Sequence, residues 1–126
     1  MKTAHDLVAA AKQEIQEVPL ADADTAIQKA DLLLDVRDGE EYRAGHLPGA
    51  VNVSRGLLEF KFSNDPAFDD RQMKIVLYCK NSGRAALSAR SLKEMGYLNV
   101  LSIEGGFDAW AEAGKPVVKP ELPDFE

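Results

Sequence analysis

The single cysteine of the sequence stands where a buried strand would end and a helix would begin. In residues 76–86, which read VLYCKNSGRAA, Cys79 closes an apolar run and is followed by Lys80, Gly83 and Arg84. The unpaired N–H groups at the start of a helix, together with two nearby cations, stabilise an anion. A thiolate is such an anion, and it is the reactive form of cysteine. The pattern therefore predicts a nucleophilic thiol in an anion-binding loop.

A purely structural interpretation of Cys79 stays open at this point. A lone cysteine is more often a small buried side chain than a nucleophile, and Lys80 and Arg84 would then be solvated surface charges. A cysteine and an arginine separated by four residues are weak evidence when taken alone. A strand before the loop and a helix after it favour the catalytic interpretation, because ligands bind beyond the carboxyl ends of parallel strands.

Residues 31–37, 74–79 and 99–103 are short, largely apolar runs. Such runs are typical of strands covered on both faces of a parallel sheet. Between the second and third runs lies a segment with helical spacing that ends at Gly96 and is long enough to return the chain in parallel. The fold class is therefore α/β. Two helices are expected before the first strand, the second capped by Asp22 or Asp24. The expected elements are helices at residues 5–16, 23–29 and 83–96 and strands at residues 31–37, 51–53, 74–79 and 99–103.

The remaining segments carry turn signals. Residues 56–62 could form either a helical turn or a loop, and Gly105 and Gly106 predict a tight turn before a short helix. Three prolines in residues 115–126 block helix and central strand. This tail is therefore expected to run extended over the surface.

Composition and charge exclude several classes of protein. The chain has 126 residues, enough for one ordinary domain, and a formal net charge of −6, which argues against a general nucleic-acid binder. No apolar stretch approaches the roughly 20 residues that span a bilayer, and the charged N-terminus lacks the pattern of a signal peptide. We therefore expect a cytoplasmic protein that binds neither membranes nor nucleic acid. One cysteine with only His5 and His46 offers neither an internal disulfide nor a zinc site, so no metal and no other cofactor is expected.

Three motifs, in their order and spacing, resemble the rhodanese domain. They are LLLDVRDGEEYRAGHLPGAVNV, YCKNSGRAALSARSLKEMGY and VLSIEGGFDAW, and the resemblance covers residues 31–113. It implies a sheet of about five parallel strands with helices on both faces, and a cysteine that accepts sulfane sulfur as a persulfide. The chain resembles a single-domain member, with an N-terminal helical extension at residues 1–17, a rhodanese-like domain at 18–115 and a proline-rich tail at 116–126.

Carried over by position, the resemblance assigns the site residues. Cys79 would be the catalytic residue that holds the sulfur. The substrate-binding set, whose amides would surround the sulfur and whose arginine would close the loop, consists of Lys80, Asn81, Ser82, Gly83 and Arg84. Many relatives have glycine at the position of Ser82 and serine at that of Ala85. Ser82 alters the backbone path open to the loop, and Ala85 removes a hydroxyl that could have donated to the sulfur.

The resemblance and the loop together predict a thiosulfate-type sulfurtransferase. Thiolate attack on the outer sulfur of thiosulfate expels sulfite, which leaves without protonation, so the lack of an acid or base between Cys79 and Arg84 is no obstacle. Because there is no second cysteine, a persulfide must discharge outside the chain. The expected partners are a small-molecule sulfur donor and an acceptor that is cyanide, a small thiol or the cysteine of a partner protein.

Two alternative functions remain open. One is a non-enzymatic module that keeps the fold and binds a partner through the loop, although such a relative would be expected to lack the cysteine. The other is phosphatase or arsenate reductase chemistry, which uses a similar loop, usually with one residue more between cysteine and arginine. The shorter loop encloses a smaller space, suited to one sulfur atom more than to a tetrahedral oxyanion.

Residues outside the loop are interpreted as structural first. Asp35 and Arg37 are expected to pair with loop polar groups and with Glu104, and His46 is expected to fix a turn by hydrogen bonding. Trp110 is expected in the core. The candidates for the mouth of the pocket, with core packing or surface cover favoured for the two aromatic residues, are Arg55, Phe60 and Phe62.

Overall fold

A computed structural model describes residues 1–120 and shows a five-stranded sheet with helices on both faces. The strands within these residues are β1 (Gln16–Val18), β2 (Leu32–Asp35), β3 (Val51–Asn52), β4 (Lys74–Tyr78) and β5 (Asn99–Ile103). The helices are α1 (Ala4–Glu14), α2 (Leu20–Lys29), α3 (Gly39–Ala44), α4 (Leu58–Asn64), α5 (Gly83–Glu94) and α6 (Gly106–Glu112), with 3-10 turns at Arg55–Leu57 and Pro66–Phe68. None of the helices within residues 1–120 combines the length and apolar character that crossing a bilayer requires.

All neighbouring strands pair in parallel, in the order β1-β5-β4-β2-β3. Leu34 of β2 lies in register between Val51 of β3 and Leu77 of β4. Each return to a parallel neighbour requires a crossover, which is why helices alternate with strands along the chain. The predicted α/β class is confirmed. The order also places the carboxyl ends of β2 and β4 side by side.

Side-chain alternation along the strands creates a separate core on each face of the sheet. On one face, Leu32, Leu34 and Leu77 pack with side chains of α4 and α5, and α1 covers α5 in turn. On the other face, Leu33 and Val76 pack with side chains of α2, α3 and α6. Burial on both faces explains why these strands read as continuous apolar runs.

The corrections to the predicted elements concern the short ones. Pro19 occupies the N-cap position of α2, so the prediction that Asp22 or Asp24 caps this helix is wrong; Asp22 lies inside its first turn. Residues 56–62, for which a helical turn and a loop were both open, contribute to a 3-10 turn and to α4. The sequence pattern did not predict β1, which has three residues, or α3, which has no buried residue. Neither element shows enough hydrophobic periodicity to be detected from the sequence.

The chain after α6 runs extended across the surface. Val118 forms an isolated antiparallel bridge with His46 through backbone hydrogen bonds of 2.8 and 2.9 Å. The indole N–H of Trp110 donates to the carbonyl of Pro116 at 2.7 Å and holds the start of the tail against α6. The structure agrees with the predicted extended course up to Pro120, and the rest of the predicted tail, 121–126, lies outside the described residues.

A buried network of polar side chains ties β2 to β4 at the carboxyl edge of the sheet. Asp35 and Arg37 form an ion pair of 2.8 Å, and Arg37 also donates to the carbonyl of Gly45 at 2.6 Å. The Tyr78 hydroxyl donates to Asp35 at 2.7 Å and accepts from the backbone N–H of Leu47 at 3.1 Å. Burial, reinforced by the negative charge of Asp35, raises the pKa of Tyr78 far above its usual value, so the hydroxyl stays protonated.

This network corrects the predicted contacts of Asp35 and Arg37. They pair with each other, with Tyr78 and with the carbonyl of Gly45 rather than with polar groups of residues 79–84. Glu104 takes no part in the network and instead donates its backbone N–H to the carbonyl of Val18. The guanidinium of Arg37 also lies 4.3 Å from the ring centroid of Phe107, a cation–π contact that joins the network to α6.

Replacing Tyr78 by phenylalanine leaves the buried N–H of Leu47 without its acceptor. We expect the free energy of unfolding to fall by about 1–3 kcal/mol, because a buried polar group that loses its partner is costly. Urea unfolding followed by circular dichroism measures the change. The control is Tyr42→Phe, whose hydroxyl donates to the carbonyl of Ala50 at a part-buried position and whose loss should cost less. Equal losses in the two variants would contradict this account of the network.

Candidate active site

The candidate site lies where β4 ends and α5 begins. Cys79 directly follows Tyr78, the last residue of β4, and Gly83 is the first residue of α5. We call residues 79–84 the cysteine loop. The end of β2 lies beside this loop because β2 and β4 are paired. The chain thus places the loop at the carboxyl edge of the sheet, where the sequence predicted it.

The side chain of Cys79 is fully buried, with 0% of its surface exposed. It belongs to the core cluster on the α4–α5 face, together with Val36, Leu58 and Ala85. The thiol therefore has the burial that the structural interpretation expects and the position at a helix N-terminus that the catalytic interpretation expects. Reaction with any solute requires that the groups covering the sulfur move.

The carbonyl groups of the first three loop residues, Cys79, Lys80 and Asn81, face α6. The N–H of Phe107 donates to the carbonyl of Cys79 at 2.8 Å, and that of Asp108 donates to the carbonyl of Lys80 at 2.9 Å. A Cβ atom on Gly106 would lie 2.4 to 2.9 Å from the carbonyl oxygens of Cys79, Lys80 and Asn81, so only glycine fits between the helix and the loop. Because each carbonyl lies opposite the N–H of the next residue in a trans peptide, the N–H groups of Lys80, Asn81 and Ser82 point away from α6.

The N–H groups of residues 80–85 divide into two sets. Those of Ser82 and Gly83 donate to the side-chain oxygen of Asn81, at 2.6 and 3.3 Å. The second set has no acceptor among residues 1–120 and consists of the N–H groups of Lys80, Asn81, Arg84 and Ala85. The sequence predicted that the loop amides converge on one point; the structure turns two of them toward Asn81 and leaves the others available to an anion.

The two cations of the cysteine loop are each paired with a carboxylate. Lys80 contacts Asp108 at 2.9 Å, and Arg84 makes a two-pronged contact with Glu41, at 2.7 and 3.1 Å. The hydrogen bonds from Arg84 lower the pKa of Glu41, and the same hydrogen bonds raise the pKa of Arg84, with a smaller contribution from the charge of Cys79. Both side chains of the Arg84–Glu41 pair remain about one-third exposed, so solvent screens the pair.

A cavity of about 300 Å³ opens beside the loop and brings it together with α3 and α6. The lining residues are Arg37, Glu41, Ala44, Gly45, Lys80, Phe107 and Asp108. Cys79 does not line this cavity. A group bound there would contact the carboxylates that neutralise the loop rather than the sulfur itself.

The residues proposed for the mouth of the pocket are divided between the core and the surface. Phe62 is buried in the core and Phe60 is 66% exposed, so core packing and surface cover each apply to one aromatic residue. Arg55 contacts Glu59 at 2.8 Å and Ser91 at 3.3 Å, away from the cysteine loop along α5. These contacts give no support to a role for Arg55 at the mouth.

His46 and Trp110 have the structural roles that the sequence predicted. The Nδ1 atom of His46 lies 3.0 Å from the carbonyl oxygen of Tyr42, and the two rings stack with centroids 3.7 Å apart. Trp110 is buried in the core on the α6 face. Neither side chain belongs to the cysteine loop.

Three residues that contact the loop were not singled out from the sequence. Glu41 and Asp108 pair with the loop cations, and Lys12 of α1 donates to the hydroxyl of Ser82 at 2.7 Å. Only Glu41 had a local signal, because it forms a capping box with Asp38 at the start of α3. The other two contacts depend on how distant elements pack.

The comparisons with known proteins agree with this architecture. Residues 19–113 match the model of a family described as the rhodanese-like domain. A sulfurtransferase from Allochromatium vinosum is 34% identical over 90 residues, which are 71% of this chain and 80% of that protein.

Two solved structures are similar over most of the chain. A protein of unknown function from Rhodopseudomonas palustris, described as a possible tyrosine phosphatase, is 32% identical with a TM-score of 0.84, covering 94% of this chain and 96% of its own. The polysulfide-sulfur transferase homodimer from Wolinella succinogenes is 32% identical with a TM-score of 0.73, covering 91% of this chain and 86% of that chain.

Replacing Gly106 by alanine tests the close contact between α6 and the cysteine loop. We expect a loss of more than about 3 kcal/mol in unfolding free energy, because the clash with loop carbonyls adds to the usual cost of a positive φ. The control is Gly49→Ala, where φ is also positive, +83° against +58°, but no atom lies within 4 Å of the added Cβ. Thermal and urea unfolding compare the two variants. Similar losses would show that α6 does not constrain the loop.

Replacing Glu41 by glutamine releases Arg84 from its carboxylate. Because the folded-state pKa of Glu41 is lowered, its contribution to stability is present above the ordinary glutamate pKa and disappears as pH falls through the lowered value. We therefore expect a loss below about 1 kcal/mol at pH 7, absent at acidic pH, because the pair is partly exposed. Urea unfolding at several pH values measures it.

The same variant should change the reactivity of Cys79 toward charged reagents. With Arg84 no longer neutralised, alkylation by anionic iodoacetate should rise about 2- to 5-fold relative to neutral iodoacetamide. Glu59→Gln is the matched control, because it breaks a similarly exposed pair with Arg55 outside the loop. An unchanged rate ratio in Glu41→Gln, or an equal change in both variants, would contradict this electrostatic role.

Proposed function

The chain belongs to the rhodanese-like domain family, and from that premise we propose that it is a thiosulfate-type sulfurtransferase that carries sulfane sulfur on Cys79. Sulfurtransferase activity is the general function that the family and the relative from Allochromatium vinosum indicate. The choice of Cys79 rests on its place before α5, in a loop where the N–H groups of Lys80 and Asn81 point away from α6 and have no acceptor among residues 1–120. The donor, the persulfide and the acceptor are the parts that experiment must establish.

The proposed reaction has two transfer steps with one covalent intermediate. In the first step the Cys79 thiolate attacks the outer sulfur of thiosulfate, a new S–S bond forms, and the S–S bond of thiosulfate breaks. Sulfite leaves with the electron pair of that bond. In the second step an acceptor such as cyanide attacks the outer sulfur of the persulfide, the bond to Sγ breaks, and the thiolate returns as thiocyanate leaves.

The observation that carries this proposal is the group of N–H groups around the start of α5 that have no acceptor in the described part of the chain. A persulfide has its negative charge on the outer sulfur, and backbone donors without an acceptor stabilise such a charge without a nearby acid or base. The loop needs no general acid because sulfite leaves unprotonated. The sequence holds no second cysteine, so the sulfur must pass to an outside acceptor.

Burial of Cys79 requires that the site open before reaction. The pair between Arg84 and Glu41 is the contact best suited to yield, because an exposed ion pair contributes only about 0–1 kcal/mol. Local openings occur on timescales on the order of microseconds to seconds, which is compatible with ordinary turnover. A dianionic donor would compete with Glu41 for the guanidinium of Arg84.

The decisive measurement is sulfur loading of the intact protein. After incubation with thiosulfate and removal of excess donor, mass spectrometry should show a gain of one sulfur atom on Cys79, and cyanide should remove it as thiocyanate. Steady-state rates with both substrates should follow ping-pong kinetics. Cys79→Ser should gain no sulfur and lose at least about a thousand-fold in thiocyanate production.

Other outcomes identify the alternative functions. An inert Cys79 thiol, with thiosulfate and also with polysulfide, would favour a binding module over a sulfurtransferase. Hydrolysis of a chromogenic phosphate ester that Cys79→Ser abolishes would favour the phosphatase alternative, which the description of the relative from Rhodopseudomonas palustris makes worth testing. Reduction of arsenate by a thiol in the presence of the protein would indicate the arsenate reductase alternative.

A further inference from the structure

The helix α1 contacts the cysteine loop although it precedes the residues that match the family model. That match begins at residue 19, whereas α1 ends at Glu14. The one fully buried residue of α1 is Ala11, and the helix packs against α5, whose N-terminus completes the loop. The family model therefore does not cover this helix.

One hydrogen bond joins α1 to the loop, and one side chain of α1 approaches it closely. The ammonium group of Lys12 donates to the hydroxyl of Ser82 at 2.7 Å, a contact between residues 70 positions apart. The Cγ2 atom of Val8 lies 3.6 Å from the position that a Cβ on Gly83 would take. The contact thus ties the start of α5, where Ser82 is the N-cap residue, to the side chain of a helix outside the matched residues.

The charge on Lys12 differs from the other charges around the loop. Within residues 1–120, every other cation near the loop is paired: Lys80 with Asp108, Arg84 with Glu41, and Arg37 with Asp35. No carboxylate of the described residues lies within ion-pair distance of Lys12, whose partner is a neutral hydroxyl. Lys12 therefore contributes a positive charge to the loop that no neighbouring side chain cancels.

We propose that Lys12 is a positioning residue for the cysteine loop, which fixes the loop through Ser82 and favours negative charge on the sulfur of Cys79. The effect of Lys12 on turnover rests on the proposed function. Its effect on the reactivity of the Cys79 thiol does not. Lys12 acts through Ser82 and through its charge and does not touch the reacting atoms. The helix α1 then contributes to the site by positioning the cysteine loop.

The test compares two lysine variants that loosen the same pair of helices at opposite ends. Lys12→Met removes the contact at the loop, and Lys93→Met removes a contact of 2.8 Å between α5 and the carbonyl of Glu14, at the other end of α1. The rate of Cys79 alkylation by iodoacetamide is measured against pH for each. The midpoint of this profile should rise by about half a pH unit in Lys12→Met and stay unchanged in Lys93→Met.

Turnover and conservative replacement give two more readouts. The kcat/KM for thiosulfate at pH 7 should fall roughly three-fold in Lys12→Met, and the loss should shrink as pH rises above the shifted midpoint. Lys12→Arg should restore most of the wild-type profile, because it keeps the charge and a donor. Lys12→Gln serves as the uncharged variant if methionine impairs folding.

The outcomes separate this proposal from the proposed function. Equal alkylation profiles in wild type, Lys12→Met and Lys93→Met would overturn the positioning role, whatever the reaction of the protein. Equal shifts in both variants would also overturn it, because they would trace the effect to helix packing alone. A shifted profile in a protein that takes up no sulfur would leave the role of Lys12 supported and would refute the sulfurtransferase proposal instead.

Discussion

The contact between the N-terminus of α6 and the carbonyl groups of the cysteine loop is the constraint on which the site depends. A peptide group has one donor and one acceptor on opposite sides, so fixing the carbonyls of Cys79 and Lys80 on α6 fixes the direction of the neighbouring N–H groups as well. Gly106 makes this possible because any side chain would meet three carbonyl oxygens. The motif EGGFDAW is thus as much a part of the site as the loop, although its aromatic residues Phe107 and Trp110 belong to the core on the other face of the sheet.

Charge pairing around the loop favours short-range recognition over long-range attraction. The chain carries a formal charge of −6, and the loop cations Lys80 and Arg84 each face a carboxylate. An approaching anion therefore meets little net positive field until it reaches the backbone N–H groups and the ammonium of Lys12. Oriented amides select by distance and geometry, which suits a single small sulfur atom better than a large polyanion.

The elements with strong local patterns were predictable from the sequence, and the contacts between distant elements were not. Continuous apolar runs identified β2, β4 and β5, and the cysteine between a strand and a helix identified the loop. The pairing of Glu41 with Arg84 joins residues 43 positions apart through a helix, α3, that has no buried residue and so no detectable period. The burial of Cys79 could not be predicted from the sequence either. An apolar run that ends in a cysteine is equally compatible with a buried strand end and with a solvent-exposed one.

The complete burial of Cys79 affects how the chemistry of the loop must be understood. A thiol surrounded by Val36, Leu58 and Ala85 is protected from oxidants and bulky reagents, and only a solute that enters during an opening can react. The observed rate is then the product of the open fraction and the rate in the open state. If the Arg84–Glu41 contact is the main barrier, a cost of about 1 kcal/mol leaves the open state populated at the level of a tenth or more. Under that condition, burial would reduce turnover by only a modest factor and would favour small donors over bulky ones.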